Sequence, residues 1–119
     1  MKIFFDGGCR PNPGRMEIAI VARGVARFDC DVGTGSSHDA EWLALLLAVA
    51  EVRARGLGGA VLLGDSKAVI AQANAALAGA TVNAHAATFV AQAAGLALRL
   101  RHIKRTQNLA GIALARLAR

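Results

Sequence analysis

Acidic residues are missing from the whole second half of the chain. The 119 residues include eight Asp and Glu, and all of them lie between Asp6 and Asp65. Residues 1–65 hold seven Lys or Arg beside those acids, and residues 66–119 hold seven more with no acid, so the formal net charge of +6 comes from the second half. A basic half favours a polyanionic partner, most often nucleic acid, although basic surfaces also occur for solubility alone.

Cysteines and long apolar runs are also scarce, and each shortage excludes a class of protein. The two cysteines, Cys9 and Cys30, form neither a metal-ligand spacing nor a disulfide framework, which favours a reducing cytoplasm. No apolar run approaches the length of a membrane span, and the start MKIFFDGG becomes polar too early for a signal peptide. With 55% hydrophobic residues, the chain is expected to fold as one cytoplasmic domain over residues 1–119.

Alternating apolar and helix-forming stretches predict five strands and four helices. The strands are expected at 2–5, 16–22, 25–35, 60–64 and 97–103, and the helices at 39–55, 66–78, 83–95 and 107–118. The first strand is expected to stop at Asp6, because Gly7, Gly8 and a Pro-Asn-Pro-Gly run follow it. Three strands followed by alternating helices and strands describe an α/β domain with a mixed sheet.

Three acidic residues lie at the predicted ends of elements. Asp6 closes the first strand, Asp65 follows the strand at 60–64, and Glu41 lies in the first turn of the first helix. If the first and fourth strands are neighbours, these carboxylates meet at one edge of the sheet, where Mg²⁺ or Mn²⁺ would offset their repulsion. Each also has an ordinary explanation, as a turn residue for Asp6 and as a helix N-terminal charge for the other two.

Four motifs follow one another along the whole chain. They read DGGCRPNPG at 6–14, AEWLAL at 40–45, GDSKAV at 64–69 and HIKRTQNLAGIALAR at 102–116. Together they resemble the motifs of ribonuclease H type 1. The resemblance implies the ribonuclease H-like fold, an α/β fold with a five-stranded mixed sheet and helices packed on both faces. It also implies an endoribonuclease that hydrolyses the RNA strand of RNA/DNA hybrids.

The same resemblance assigns catalytic roles. Asp6, Glu41 and Asp65 would hold two Mg²⁺ or Mn²⁺ ions around the scissile phosphate, with Asp6 bridging both. One ion would lower the pKa of the attacking water, and the other would stabilise the departing 3′ oxygen. His102 matches the family's mobile histidine, which would carry a proton or help the product to leave, and a plain phosphate-facing role is equally open.

The family normally has a fourth carboxylate, four residues after the Asn of the last motif, and this sequence lacks it. The corresponding position, counted from Asn108, is Ile112, and no acid follows Asp65 to replace the missing one. Asn108, one helical turn earlier, is a candidate replacement ligand through its amide oxygen, with capping of the last helix as the alternative. A neutral ligand predicts weak binding of the second ion, and therefore a need for more Mg²⁺ or a preference for Mn²⁺.

Contacts to the nucleic acid are predicted along the same motifs. The backbone of Gly7, Gly8 and Cys9, with Asn12, would lie near the 2′-hydroxyl that distinguishes RNA from DNA. Because no Lys or Arg lies between 68 and 98, the basic helix that some relatives carry is absent, and binding should be sensitive to salt. The other predicted substrate contacts are Arg10, Ser37, His38, Ser66, Lys67 and Arg105.

Two other functions stay open from the sequence. A ribonuclease H-like domain without the fourth acid would bind nucleic acid without cleaving it, although a pure binder has little physical reason to keep three clustered acids. A Mg²⁺-dependent phosphatase would need a second acid two residues after its nucleophilic Asp, where this chain has Gly8. The predicted partner is an RNA/DNA hybrid, and neither a membrane nor an obligatory protein partner is expected.

Overall fold

Strands and helices follow one another in the predicted order in the computed structural model, which describes residues 1–117. The strands are β1 (Lys2–Cys9), β2 (Gly14–Ala22), β3 (Val25–Asp29), β4 (Thr34–Gly35), β5 (Ala60–Gly64) and β6 (Leu98–His102). The helices are α1 (Ser37–Arg55), α2 (Lys67–Leu77), α3 (Ala84–Ala93) and α4 (Leu109–Leu117). Residue 118, where the last helix was expected to end, lies outside the described residues.

The sheet is mixed and has the strand order β3-β2-β1-β5-β6. Its first three strands form an antiparallel meander, and β5 and β6 then add in parallel beside β1. The short β4 lies off this path and pairs with the start of β2. The α/β class and the five-stranded mixed sheet are therefore confirmed, and β1 and β5 are neighbours, as the grouping of the acids requires.

Helix α1 covers one face of the sheet and forms most of the core. Because successive side chains of a strand point to opposite faces, Ile3 and Phe5 of β1 share this face. They pack with Trp42 and Leu45 of α1 and with Phe89 of α3, all five fully buried. Eight of the 19 residues of α1 are buried, so this helix contributes a large share of the core.

Helix α4 lies on the opposite face, where the core is smaller. Ala19 and Val21 of β2 pack there against Ala110, with Phe4 and Leu114 half-buried beside them. Helix α4 packs against β1, β2 and β3. Helices thus cover both faces, as predicted, and α4 begins close to the carboxyl edge of the sheet.

The first strand does not stop at Asp6, contrary to the prediction from sequence. Strand β1 continues to Cys9, because its antiparallel pairing with β2 runs on through Asp6 opposite Ala19 and Cys9 opposite Met16. The parallel pairing with β5, in contrast, ends at Phe4 opposite Leu63. Asp6 therefore lies within a strand, at the point where one of the two neighbouring strands has ended.

Other boundaries differ from the prediction by one or more residues, and two of these differences have a visible cause. The strand expected over 25–35 divides into β3 and β4, because the Asp31 N–H donates to the Asp29 carboxylate at 3.0 Å and turns the chain. Helix α1 begins at Ser37 rather than Asp39, because Ser36 and Asp39 cap it reciprocally. No helix within residues 1–117 is long and apolar enough to cross a membrane.

Candidate active site

Three carboxylates from three elements converge at the carboxyl edge of the sheet. Asp6 comes from β1, Glu41 from the first turns of α1, and Asp65 from the residue after β5. One oxygen of each lies within 4.8 Å of the others. The three groups line a hollow of about 460 Å³.

A glycine allows Glu41 to reach this cluster. A Cβ on Gly7 would lie 2.2 Å from the backbone oxygen of Ala40, so only glycine lets the first turn of α1 rest on β1. The Gly7 N–H points to Glu41 and donates to its Oε1 at 3.4 Å. Gly7 was predicted to contact RNA through its backbone, and this stays a prediction; its N–H is directed at the Glu41 carboxylate.

Burial and neighbouring charges raise the pKa of two carboxyl groups of the cluster, Glu41 and Asp6. Burial is the main cause that raises the pKa of Glu41, and hydrogen bonding to Asp6 and the charges of Asp6 and Asp65 add to it. Burial also raises the pKa of Asp6. Glu41 Oε2 is buried and meets no hydrogen-bond donor within residues 1–117, so the Asp6 carboxyl can partner it only if the two share a proton.

These features fit a divalent cation. A buried carboxylate oxygen without a donor and three convergent charges are what such an ion would satisfy. Three hard oxygen ligands suit Mg²⁺ or Mn²⁺ rather than a softer metal. Asp6, Glu41 and Asp65 are therefore the residues that would hold it.

Asn108 is fully buried behind Asp65, between β1 and α4. Its Nδ2 donates to the Phe5 carbonyl at 3.0 Å and to Asp65 Oδ2 at 2.9 Å. Its Oδ1 accepts from the Ala110 N–H at 3.1 Å, which caps α4. Exchanging the two amide atoms would set oxygen against two acceptors and nitrogen against a donor, so the partners determine the orientation.

This geometry bears on the predicted ligand role of Asn108. The amide oxygen is occupied by the helix cap, and the atom that faces the acidic cluster is a donor, which cannot bind a cation. The contacts favour the alternative that the sequence left open, in which Asn108 caps the helix. They add a second role that the sequence did not reveal, because the same side chain orients Asp65.

The side of the hollow that α4 forms is apolar. Gly111, Ile112, Leu114 and Ala115 of α4 line it, and none offers a ligand oxygen from its side chain. A Cβ on Gly111 would lie 3.2 Å from Asp6 Oδ2, so the absence of a side chain lets α4 approach that carboxylate. The motif contained Gly111, but spacing alone did not show its nearness to Asp6.

Most of the predicted substrate contacts line the same hollow. Arg10 and Arg105 are exposed cations at its edge. Ser37 is held by Asn12, whose Oδ1 accepts from the Ser37 N–H at 3.1 Å, while the Ser37 hydroxyl lies 3.5 Å from Cys9 Sγ. The remaining predicted residues in its lining are Gly7, Gly8 and Cys9.

Besides Asn12 and Asn108, four predicted residues lie outside the lining of this hollow. His38 is exposed on α1, and Lys67 is exposed at the start of α2. Ser66 caps α2, because its hydroxyl accepts from the Val69 N–H at 3.2 Å. His102 ends β6 and lines a different hollow, beside Lys2 and Phe4.

Several solved structures that are similar to this one are ribonuclease H1 proteins. That of the halophilic archaeon Halobacterium salinarum matches with a TM-score of 0.74 at 25% sequence identity, over 95% of this chain and 92% of that one. A ribonuclease H1 isolated from compost by a metagenomic approach gives 0.76 at 22% identity, over 95% and 90%. Its structure in complex with an RNA/DNA hybrid gives 0.71 at 19% identity, over 91% and 88%.

Sequence comparison gives no corresponding match. No family model matches the chain, and none of the curated proteins does. The structural likeness extends over nearly the whole chain in each case, at low identity. It confirms the resemblance to ribonuclease H type 1 that the four motifs indicated, and it confirms the predicted fold.

Proposed function

We propose that this chain, which has the fold of ribonuclease H type 1, is a metal-dependent endonuclease that hydrolyses the RNA strand of RNA/DNA hybrids. The observation that carries the proposal is the convergence of Asp6, Glu41 and Asp65 within 4.8 Å of one another. The hybrid complex of a structural neighbour supports the class of substrate. Mg²⁺ or Mn²⁺ is the proposed cofactor, in a two-ion arrangement.

The chain's own residues prepare the site in two ways. Asn108 fixes the Asp65 carboxylate through one N–H while it anchors α4. The Gly7 N–H holds one oxygen of Glu41 and leaves the other turned into the cluster. Divalent ions held here would lower the pKa of an attacking water and stabilise charge on the departing 3′ oxygen.

Substrate binding would use the edge of the hollow. Arg10 and Arg105 would contact phosphates of the nucleic acid. The Ser37 hydroxyl and the backbone of Gly8 and Cys9 are the polar groups nearest to where a 2′-hydroxyl would lie, since Asn12 is used to hold Ser37. His102 is proposed to act in product release, from outside the lining of the hollow.

The experiment that tests this proposal compares three duplexes of one sequence: RNA/DNA, DNA/DNA and RNA/RNA. Each is labelled on one strand and incubated with the protein in Mg²⁺ or in Mn²⁺. We expect cleavage of the RNA strand of the hybrid alone. Cleavage of the DNA duplex, or release of phosphate from a small phosphomonoester, would contradict the proposed substrate class.

A second candidate function is a nucleic-acid-binding module without catalysis. The observation that favours it is the apolar wall at Ile112, which leaves the second ion without a protein ligand on that side. Hybrid binding measured by fluorescence anisotropy in EDTA, set beside cleavage in metal, separates the two functions. Binding with no cleavage in either metal would establish the module and exclude the enzyme.

Three further predictions from the sequence accompany this proposal. Residues 1–119 are proposed to form one domain, in a cytoplasmic protein with no obligatory protein partner. They rest on the chain length, the two cysteines without a framework and the absence of a linker in the sequence.

A further inference from the structure

Six side chains form two rows across three neighbouring strands of the sheet. The register places Lys2 opposite Val61 and Val61 opposite Arg99. Two residues further along each strand, Phe4 lies opposite Leu63 and Leu63 lies opposite Arg101. Because residues two apart in a strand share a face, both rows lie on the α4 side with Phe4. We call this surface the basic sheet face; its residues are Lys2, Val61 and Arg99 in one row, and Phe4, Leu63 and Arg101 in the other.

Most of the basic sheet face lies beyond the strands that α4 covers, and Phe4 is at the boundary, because it also packs beside Ala110. Lys2, Arg99 and Arg101 are exposed, and Phe4 and Val61 are half-buried. Three adjoining hollows of about 370, 420 and 450 Å³ lie along it. The first shares Val61 with the second, and it shares Lys2 and Phe4 with the third. None shares a residue with the hollow that contains the three carboxylates.

The charge on this face is positive and has no internal partner. Lys2, Arg99 and Arg101, with Arg23 at the edge of the largest hollow, make no ion pair within residues 1–117. No acidic residue lines any of the three hollows. Lys2 and Arg99 lie two strand spacings apart, about 10 Å, with the apolar Val61 between them.

Cations beside an apolar floor match the chemistry of a single nucleic-acid strand. Its phosphates would contact the Lys and Arg side chains, and its unpaired bases would rest on the half-buried Phe4 and Val61, above the buried Leu63. A duplex hides its bases, so it would leave this floor uncovered. We propose that the basic sheet face is a binding site for single-stranded nucleic acid, separate from the carboxylate cluster and independent of its catalytic activity.

The test uses a labelled oligo(dT) of about 12 nucleotides, with binding measured by anisotropy in EDTA at several salt concentrations. The double variant Arg99→Gln/Arg101→Gln removes two cations from the face. The matched control, Arg10→Gln/Arg105→Gln, removes two cations from the edge of the carboxylate hollow. Both pairs are exposed on the surface, and thermal melting checks that each variant remains folded.

We expect the face variant to bind oligo(dT) at least about 10-fold more weakly at about 100 mM salt, and its salt slope to fall by about 1.4. The control variant should bind oligo(dT) like the original protein and bind a blunt hybrid more weakly. The variant Phe4→Leu should weaken oligo(dT) binding about 5-fold with no change in salt slope, because it removes stacking and no charge.

Three results would overturn the proposal. The first is that the original protein fails to bind oligo(dT) at low salt, and the second is that the face variant binds it normally. The third is that the control variant loses oligo(dT) binding to the same extent as the face variant. The last result would place the single strand in the carboxylate hollow. In each case the basic sheet face would be only a solvated surface, and the proposed endonuclease activity would be unaffected.

Discussion

At the scale of single residues, Asn108 connects the candidate site to the packing of the protein. One amide group binds the Phe5 carbonyl, the Asp65 carboxylate and the first N–H groups of α4. Removing it would leave a buried carbonyl without a donor, leave α4 uncapped and release Asp65. The position of a candidate catalytic carboxylate therefore depends on a residue whose own amide oxygen is used to cap α4.

The variant Asn108→Ala should lower the free energy of unfolding by about 2 kcal/mol, from the lost cap and the unpaired carbonyl. It should also lower cleavage by an extent that added Mn²⁺ does not restore. Urea unfolding and a metal titration of cleavage measure the two effects. Full recovery of activity at high metal, with unchanged stability, would instead support a ligand role for Asn108.

A companion variant separates the two roles of this residue. Asn108→Asp keeps an oxygen to cap α4 but replaces the donor to Asp65 by an acceptor. Because the new acceptor would repel the Asp65 carboxylate, we expect this variant to lose more catalysis than Asn108→Ala does, although its helix cap is retained. A gain in metal affinity without loss of rate would contradict the positioning role.

The variant Ile112→Asp should reduce the Mg²⁺ concentration needed for half-maximal cleavage. Ile112 is 38% exposed in the wall of the hollow, so a carboxylate there would face the cluster without the cost of deep burial. Its charge would supply the fourth oxygen ligand that the chain lacks. The matched control, Ile112→Asn, has a similar shape and no charge, and an equal effect of both variants would argue against metal binding.

At the scale of elements, the contact between β1 and α1 determines where Glu41 lies. Gly7→Ala places a methyl group 2.2 Å from the Ala40 carbonyl oxygen and should cost about 3 kcal/mol of stability as α1 is pushed outward. Gly8→Ala is the control, because a Cβ there has no neighbour within 4 Å. Denaturant unfolding should therefore distinguish two adjacent glycines, and equal effects would contradict the observed packing.

The order of elements and their types were predictable from the sequence, because the patterns that specify them are local. Helix α1 follows from its helix formers and the stop at Gly56, and β5 follows from a short apolar run. The end of β1 was not predictable from the same kind of pattern. Asp6 and the two glycines indicate a break locally, but the antiparallel pairing with β2 keeps the strand extended to Cys9.

The candidate site, like the fold, was predictable from the sequence only in part. Asp6, Glu41 and Asp65 were identifiable because each lies at a marked position in a motif, and the structure brings all three together. The contacts of Asn108 were not, since a partner 43 residues away in the sequence decides which amide atom faces the cluster. Nearness of Gly111 to Asp6 likewise depends on how α4 crosses β1.

At the scale of the whole molecule, the acidic cluster should make stability depend on pH and metal. The pKa of Glu41 is raised above its ordinary value of 4.5, so the folded protein keeps a proton that the unfolded chain releases. Its contribution is fully present below that value and is lost as pH rises through the folded pKa. In EDTA, Glu41→Gln should therefore flatten the fall in stability above pH 4.5, and added Mn²⁺ should stabilise only the original protein.

Thermal melting at several pH values, with and without metal, makes this comparison. Mn²⁺ should raise the melting temperature of the original protein more at higher pH, because its binding competes with the proton. A Mn²⁺ effect of the same size in Glu41→Gln would show that the ion binds elsewhere on the molecule.

The most direct measurement compares Asp6→Asn with the original protein in two assays on one end-labelled RNA/DNA hybrid. Single-turnover cleavage is followed in Mg²⁺ and in Mn²⁺, and hybrid binding is followed in EDTA. We expect the variant to bind the hybrid at least as tightly as the original protein does, and only the original protein to cut it. Equal cleavage by both proteins would contradict a catalytic role for the carboxylate cluster.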